Sequence, residues 1–71
     1  MKLSKDEKKF LAALRNRGHM SKAEAMAFWS TPHYTNSKIK RLYLLKLILL
    51  TENEMILPNK KLEENLYEYL G

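Results

Sequence analysis

A group of hydrogen-bonding side chains lies close together near the middle of this 71-residue sequence. Three basic residues fall within four positions, a serine comes directly before them and a leucine follows. Lysine and arginine can donate to guanine O6 and N7, and an exposed leucine can contact a thymine methyl group. We therefore expect base contacts from Ser37, Lys38, Lys40, Arg41 and Leu44. The alternative is an ordinary solvated helix face.

Four further residues stand where predicted helices begin, and their side chains could meet phosphate groups. Phosphates bind backbone N–H groups at helix N-termini and nearby hydroxyl, amide and ammonium groups. On this basis the predicted phosphate contacts are Lys22, Tyr34, Thr35 and Asn36. A role in helix capping or in a turn explains each of them equally well.

The sequence offers little for catalysis or metal binding. His19 and His33 are the only histidines and have no partner at a metal-ligand spacing, and cysteine is absent. Gly18 and Gly71 are the only glycines, which excludes a glycine-rich phosphate loop. We therefore expect no enzyme activity, no metal, no cofactor and no small-molecule effector.

Length and composition indicate one folded domain over residues 1–71. Hydrophobic residues make up 45% and charged residues 30%, which is typical of globular proteins. No run reaches the roughly 20 apolar residues that span a bilayer, and the N-terminus lacks the apolar stretch of a signal peptide. The absence of cysteine favours a reducing compartment, so the expected location is the cytoplasm, without membrane contact.

Charge is distributed unevenly along the chain, whose net charge is +5. Residues 1–47 carry eleven basic and three acidic side chains, whereas residues 48–71 carry two basic and five acidic ones. The first two-thirds therefore attract a polyanion and the last third repels it.

Two capping boxes predict the first two helices. Ser4–Glu7 and Ser21–Glu24 each have serine followed three positions later by glutamate, and these two side chains can satisfy free N–H groups of a first helical turn. Gly18 can adopt the left-handed conformation that ends a helix. The predicted helices cover about 4–17 and 21–29.

A third helix is predicted over about 36–46, after a polar connection at 33–37. Ile39, Leu42 and Tyr43 are expected on its core side, and the basic residues on its outward side. The next two apolar runs flank a polar turn and predict a β-hairpin over about 47–58. A third helix continuing through Leu50 is the alternative.

A final helix is predicted over about 59–70. Its apolar residues recur at i, i+4, i+7 and i+8, and they are Leu62, Leu66, Tyr69 and Leu70. These residues could pack on their own core or on the same helix of a second copy. A small fold often gains stability from a partner subunit, so we expect a homodimer.

The order of these elements resembles the winged helix-turn-helix family of DNA-binding domains. Residues 17–25 are similar to the link into the family's second helix, and residues 34–42 to its recognition helix. The similarity is greatest to small prokaryotic, plasmid and viral regulators, whose extra C-terminal helix often forms a dimer. The resemblance implies a mainly α fold with a small β-hairpin: a three-helix core, a wing and the extra helix. It also implies a transcriptional regulator that binds duplex DNA sequence-specifically as a homodimer.

Two features depart from the family pattern. Lys46 stands where the family commonly has a leucine, and Leu47-Ile48 lacks the glycine of the Gly-Leu pair that the family commonly has before the wing. The wing tip carries Glu52 and Glu54, which would repel phosphate, so we expect that this wing does not clasp the minor groove.

Two other functions remain open at this point. Winged helices also serve as protein docking modules, and residues 48–57 could supply the contact surface. The second is nonspecific binding of chromatin or of single-stranded nucleic acid. The third helix lacks an aromatic platform, and this counts against binding of single strands.

Overall fold

The first two helices begin at the two capping boxes, as predicted. In the computed structural model, which describes residues 3–60, α1 spans Lys5–Arg17 and α2 spans Lys22–Trp29. The Ser4 N–H donates to Glu7 Oε1 over 2.8 Å, and the equivalent bond from Ser21 to Glu24 measures 3.0 Å. Gly18 ends α1 with a φ of 82°.

The third helix, α3, spans Pro32–Leu44 and begins four residues earlier than predicted. Thr31 is its N-cap, because Thr31 Oγ1 accepts from the N–H of Tyr34 over 3.2 Å. Pro32 occupies the first helical position, where its missing N–H costs nothing and its fixed φ suits the helix. The predicted polar connection at 33–37 is therefore wrong, since these residues lie inside α3.

The C-terminal end of α3 is closed by a lysine in a left-handed conformation. Lys46 has a φ of 64°, and its N–H donates to the Tyr43 carbonyl over 3.0 Å. The N–H of Leu47 donates to the Leu42 carbonyl over 3.1 Å. Both leucines are buried, so this is a Schellman-type end with its accompanying apolar contact. The helix stops two residues before the predicted position 46.

A small antiparallel sheet completes the described part of the fold. Its strands are β1 (Met20–Ser21), β2 (Ile48–Leu50) and β3 (Met55–Pro58), in the order β1-β3-β2. Leu49 pairs with Leu57, which confirms the hairpin and rules out a helix continuing through Leu50. Strand β1 was expected only as an extended link, and its pairing of Met20 with Ile56 ties that link to the hairpin.

The core lies between the three helices and the sheet. Within it, the ring centroids of Phe10 and Trp29 are 4.8 Å apart, and those of Phe10 and Phe28 are 5.5 Å apart. The buried apolar residues are Leu3, Phe10, Leu11, Leu14, Met20, Ala25, Trp29, Ile39, Leu42, Leu47, Ile48 and Ile56. These contacts hold α3 as one rigid element of a mainly helical fold with a small sheet.

The predicted helix over 59–70 lies largely outside the described residues. So do all four residues predicted to form the dimer interface, namely Leu62, Leu66, Tyr69 and Leu70. Within residues 3–60, no helix combines the length and apolar character needed to cross a lipid bilayer.

Candidate nucleic-acid interface

Helix α3 has a buried stripe and an exposed stripe on opposite sides. Thr35, Ile39 and Leu42 face the core. The opposite side is exposed at positions spaced by four, three and four residues, which is the spacing of one helix face. These residues, called the outward stripe below, are His33, Ser37, Lys40 and Leu44.

Three of the five predicted base-contact residues belong to the outward stripe. Ser37 and Lys40 are exposed near its middle, and Leu44 is 67% exposed at its C-terminal end. The stripe therefore presents a hydroxyl and an ammonium group beside each other, where they can form hydrogen bonds with a ligand.

The other two predicted base-contact residues turn toward α1. Arg41 Nη1 lies 2.6 Å from Glu7 Oε2, and Lys38 Nζ lies 3.7 Å from the same oxygen. Lys38 Nζ also donates to Ser4 Oγ over 3.4 Å. The side chain of Lys38 is only 16% exposed, whereas that of Arg41 is 44% exposed and borders the solvent. Lys38, Lys40 and Arg41 were all predicted on the outward face, but only Lys40 belongs to the outward stripe.

Glu7 is a buried carboxylate that joins α1 to α3. Burial is the largest single influence on its pKa and raises it, but hydrogen bonds from the Ser4 N–H and hydroxyl oppose burial. The charges of Lys38 and Arg41 also favour the carboxylate, and the pKa of Glu7 falls below its ordinary value of 4.5. Glu7 therefore stays charged at neutral pH and fixes the direction in which the two cations point.

A second ion pair joins the end of α1 to the start of α2. Arg17 contacts Glu24, and both side chains are partly exposed. The hydrogen bond from the Ser21 N–H is the main cause that lowers the pKa of Glu24 to about 2, and the Arg17 side chain contributes next. The charge of Arg17 is thus directed at the junction between α1 and α2.

The predicted phosphate-contact residues occupy different environments. Tyr34 and Asn36 are exposed in the first turns of α3, and the Tyr34 ring lies 5.4 Å from Lys38 Nζ. Thr35, by contrast, is only 1% exposed and faces the core, so its hydroxyl is closed to a phosphate. Lys22 is half-buried at the first position of α2, on a different element.

His33 belongs to the outward stripe, but the sequence analysis did not include it. With the third helix predicted to begin at about 36, His33 fell in the connection before it. The Thr31-Pro32 pair was the signal that could have found it, since threonine favours the N-cap and proline the first helical position.

A surface cavity of about 310 Å³ lies between the C-terminal end of α3 and strand β2. Among the described residues it is lined by Tyr43, Leu44, Lys46, Ile48, Leu49 and Asn59, and its surface is mainly apolar. We call it the apolar groove. Tyr43, which was expected on the core side of the third helix, is 47% exposed here because it lies in the last turn of α3 beside the groove.

The turn of the hairpin, at residues 51–54, is exposed and acidic. The Thr51 N–H donates to the Met55 carbonyl over 3.0 Å, and the Glu54 N–H donates back to the Thr51 carbonyl over 3.1 Å. Glu52 and Glu54 are both exposed. The turn therefore presents negative charge to any partner near the hairpin.

Comparisons with known proteins identify no relative of this chain. Searches of protein-family models, of curated proteins and of solved structures find no match to this chain. Within residues 3–60, no three histidine, aspartate or glutamate side chains converge in a way that could hold a metal ion. The exposed side chains of α3 offer hydrogen bonding, charge attraction and apolar contact.

Proposed function

We propose that this chain binds duplex DNA sequence-specifically, through α3 in the major groove, and regulates transcription by occupying its site. The observation that carries the proposal is the outward stripe. It lies on the side of α3 opposite the core, and it is exposed at His33, Ser37 and Lys40. The major groove of DNA is about 12 Å wide and admits one α-helix.

The order of the elements supports a winged-helix arrangement. A short strand lies between α1 and α2, α3 follows directly, and a hairpin closes the sheet in the order β1-β3-β2. In this arrangement α3 is the recognition helix and the turn at 51–54 is the wing.

Charge supports the same binding mode. Lys40 is exposed on the stripe, and Arg41 borders it while its guanidinium contacts Glu7. Base edges in the major groove accept hydrogen bonds from lysine and serine, which gives Ser37 and Lys40 the reading role. Tyr34 and Asn36, in the first turns of α3, contact the flanking phosphates, and Lys22 contributes from α2.

The acidic wing restricts how DNA can approach. Carboxylates at Glu52 and Glu54 would lie within a Debye length of about 8–10 Å of any phosphate that the wing touched. DNA therefore contacts α3 and the start of α2, and the wing stays outside the minor groove.

A pair of lysine substitutions tests this proposal. Lys40→Ala removes a charge from the outward stripe, whereas Lys9→Ala removes one from an exposed position on α1, away from its buried side. Binding to duplex DNA is measured by fluorescence anisotropy at several salt concentrations. We expect Lys40→Ala to weaken binding and to reduce the salt slope by up to about one unit, because it removes one cation from the surface that faces the DNA.

Lys9→Ala is expected to leave both the affinity and the salt slope close to those of the parent chain. Equal effects of the two substitutions would contradict a specific role for α3. Arg41→Ala is a poorer test, because it also removes an ion pair with buried Glu7.

A protein docking module is the second candidate. The exposed apolar side chains of Leu44, at the end of α3, and of Leu49 and Leu50, on β2, favour it, since DNA binding through Ser37 and Lys40 does not use them. Dissociation constants weaker than about 10⁻⁴ M for duplex DNA at low salt would decide for docking, because even nonspecific DNA-binding proteins exceed this affinity.

A further inference from the structure

Exposed apolar side chains are concentrated at one end of the described fold. Large hydrophobic residues that remain exposed include Tyr43 at 47%, Leu44 at 67%, Leu49 at 44% and Leu50 at 44%. Tyr43, Leu44 and Leu49 line the apolar groove, and Leu50 is next along β2. A clustered apolar surface of this kind is typical of a contact site, whereas single exposed hydrophobic residues are ordinary.

The chain itself passes along the rim of this groove. Asn59 lines it, and the Asn59 N–H donates to the Leu47 carbonyl over 3.0 Å. This bond holds the backbone just after β3 beside the end of α3. The described part of the chain therefore ends, at Lys60, one residue after the edge of the groove.

The sequence that follows has a matching chemical pattern. Leu62, Leu66, Tyr69 and Leu70 recur at the spacing of one helix face. The remaining face carries the acidic residues Glu64 and Glu68, while Lys46 is the charged residue that lines the groove. As a helix, this sequence would turn its apolar face to the apolar groove and its acidic face to the solvent.

We propose that residues 61–70 dock as a helix in the apolar groove of their own chain. Ten helical residues extend about 15 Å, so the segment can lie along the groove without a linker. A site joined to its ligand by a short connection has an effective concentration of about millimolar, which favours the same chain over a second copy. This inference goes beyond DNA binding and does not depend on it.

The docking has a consequence for the outward stripe. Leu44 lines the groove and would be covered by the segment, so it is removed from contact with DNA. His33, Ser37 and Lys40 remain open to a ligand.

Paramagnetic labelling of the full-length chain tests the docking. Because the sequence has no cysteine, Leu50→Cys gives a single attachment point for a nitroxide on β2 beside the groove. Ala23→Cys is the matched control, exposed at the start of α2 near β1, the sheet edge opposite β2. We expect the amide signals of residues 62–70 to lose intensity with the label at position 50 and to keep it with the label at position 23.

A mixed sample separates the same chain from a second copy. Protein that carries the nitroxide at position 50, at natural isotope abundance, is mixed with ¹⁵N protein that carries no nitroxide. Only contacts between molecules can then cause signal loss. Docking within one chain predicts no loss in this mixture. Loss in the mixture would assign the groove to a second copy, and absence of loss in both samples would overturn the docking altogether.

Two substitutions in the segment make the test specific. Leu66→Ser removes an apolar side chain from the proposed contact face and should abolish the intensity loss seen with the label at position 50. Glu64→Ser changes the opposite face and should preserve it. Equal results for the two variants would contradict docking through the apolar face.

Discussion

At the scale of single residues, Glu7 has two functions in one position. It completes the capping box of α1, and its other oxygen contacts Arg41 of α3 over 2.6 Å. Its side chain is only 2% exposed, so the charge is accepted in the interior because cations and hydrogen bonds surround it. Glu7 thereby sets how α3 lies against α1.

The lowered pKa of Glu7 predicts a loss of stability in acid. A group whose pKa is lower in the folded state stabilises the fold above its ordinary value, here 4.5, and this contribution disappears as the pH falls through the folded pKa. We expect Glu7→Gln to reduce the free energy of unfolding at pH 7 by about 2 kcal/mol. The parent chain should lose stability below pH 4.5, and the variant should lose less.

Urea unfolding at a series of pH values between about 7 and 3 measures this difference. Glu52→Gln, which removes a carboxylate from the exposed hairpin turn, serves as the control and should keep the pH dependence of the parent chain. If Glu7→Gln and the parent chain lost stability in parallel, the ion pairs of Glu7 would have no role in acid unfolding.

Lys46 is strained by its backbone conformation. Its φ of 64° lies in the left-handed region, which costs a residue with a side chain about 1–2 kcal/mol and costs glycine little. We expect Lys46→Gly to raise the free energy of unfolding by about 1 kcal/mol, measured by urea unfolding. Lys40→Gly, in the interior of α3, should lower it by about 1 kcal/mol. A loss of stability in Lys46→Gly would show that its side chain contributes more than the strain costs.

At the scale of elements, the start of α3 decides which side chains can act together. Because the helix begins at Pro32, His33 joins the outward stripe, and Tyr34 and Asn36 become helical residues. The early start also explains the burial of Thr35, which lies one turn before Ile39 on the core side.

Substitution of Thr31 tests this helix start. Thr31 Oγ1 accepts the Tyr34 N–H, so Thr31→Ala should lower the free energy of unfolding by about 1 kcal/mol. Asn36 was the expected start and is exposed inside the helix, and Asn36→Ala should not destabilise the fold. Thermal or urea unfolding of both variants makes the comparison, and the opposite order would place the start near 36.

Local signals in the sequence were sufficient for α1, α2 and the hairpin. The two capping boxes lie where the pattern of serine and glutamate indicated, and each uses only residues within one helical turn. The helix start at Pro32 was missed because the polar residues 33–37 favour a connection between helices over a first helical turn. Strand β1 was missed because its two residues form a strand only through pairing with β3.

At the scale of the whole molecule, the described fold separates a polar stripe from an apolar groove on the same helix. Ser37 and Lys40 lie near the middle of α3, and Tyr43 and Leu44 lie at its C-terminal end beside β2. One helix can therefore face two partners, a nucleic acid along its exposed side and an apolar segment at its end.

The candidate site could be predicted only in part. Helical spacing was sufficient to group Ser37, Lys40 and Leu44, because their common face follows from the sequence. The direction of Lys38 and Arg41 depends on Glu7, which is more than 30 residues away in the chain. Periodicity within α3 carries no information about that contact.

NMR mapping tests most directly whether the exposed side of α3 binds duplex DNA. The ¹⁵N-labelled chain is titrated with a short DNA duplex at low salt, and amide shift changes are assigned along the chain. We expect the largest changes between His33 and Arg41, with the hairpin turn at Glu52 and Glu54 little affected. Changes centred on β2 and the apolar groove, or none in a folded chain, would contradict it.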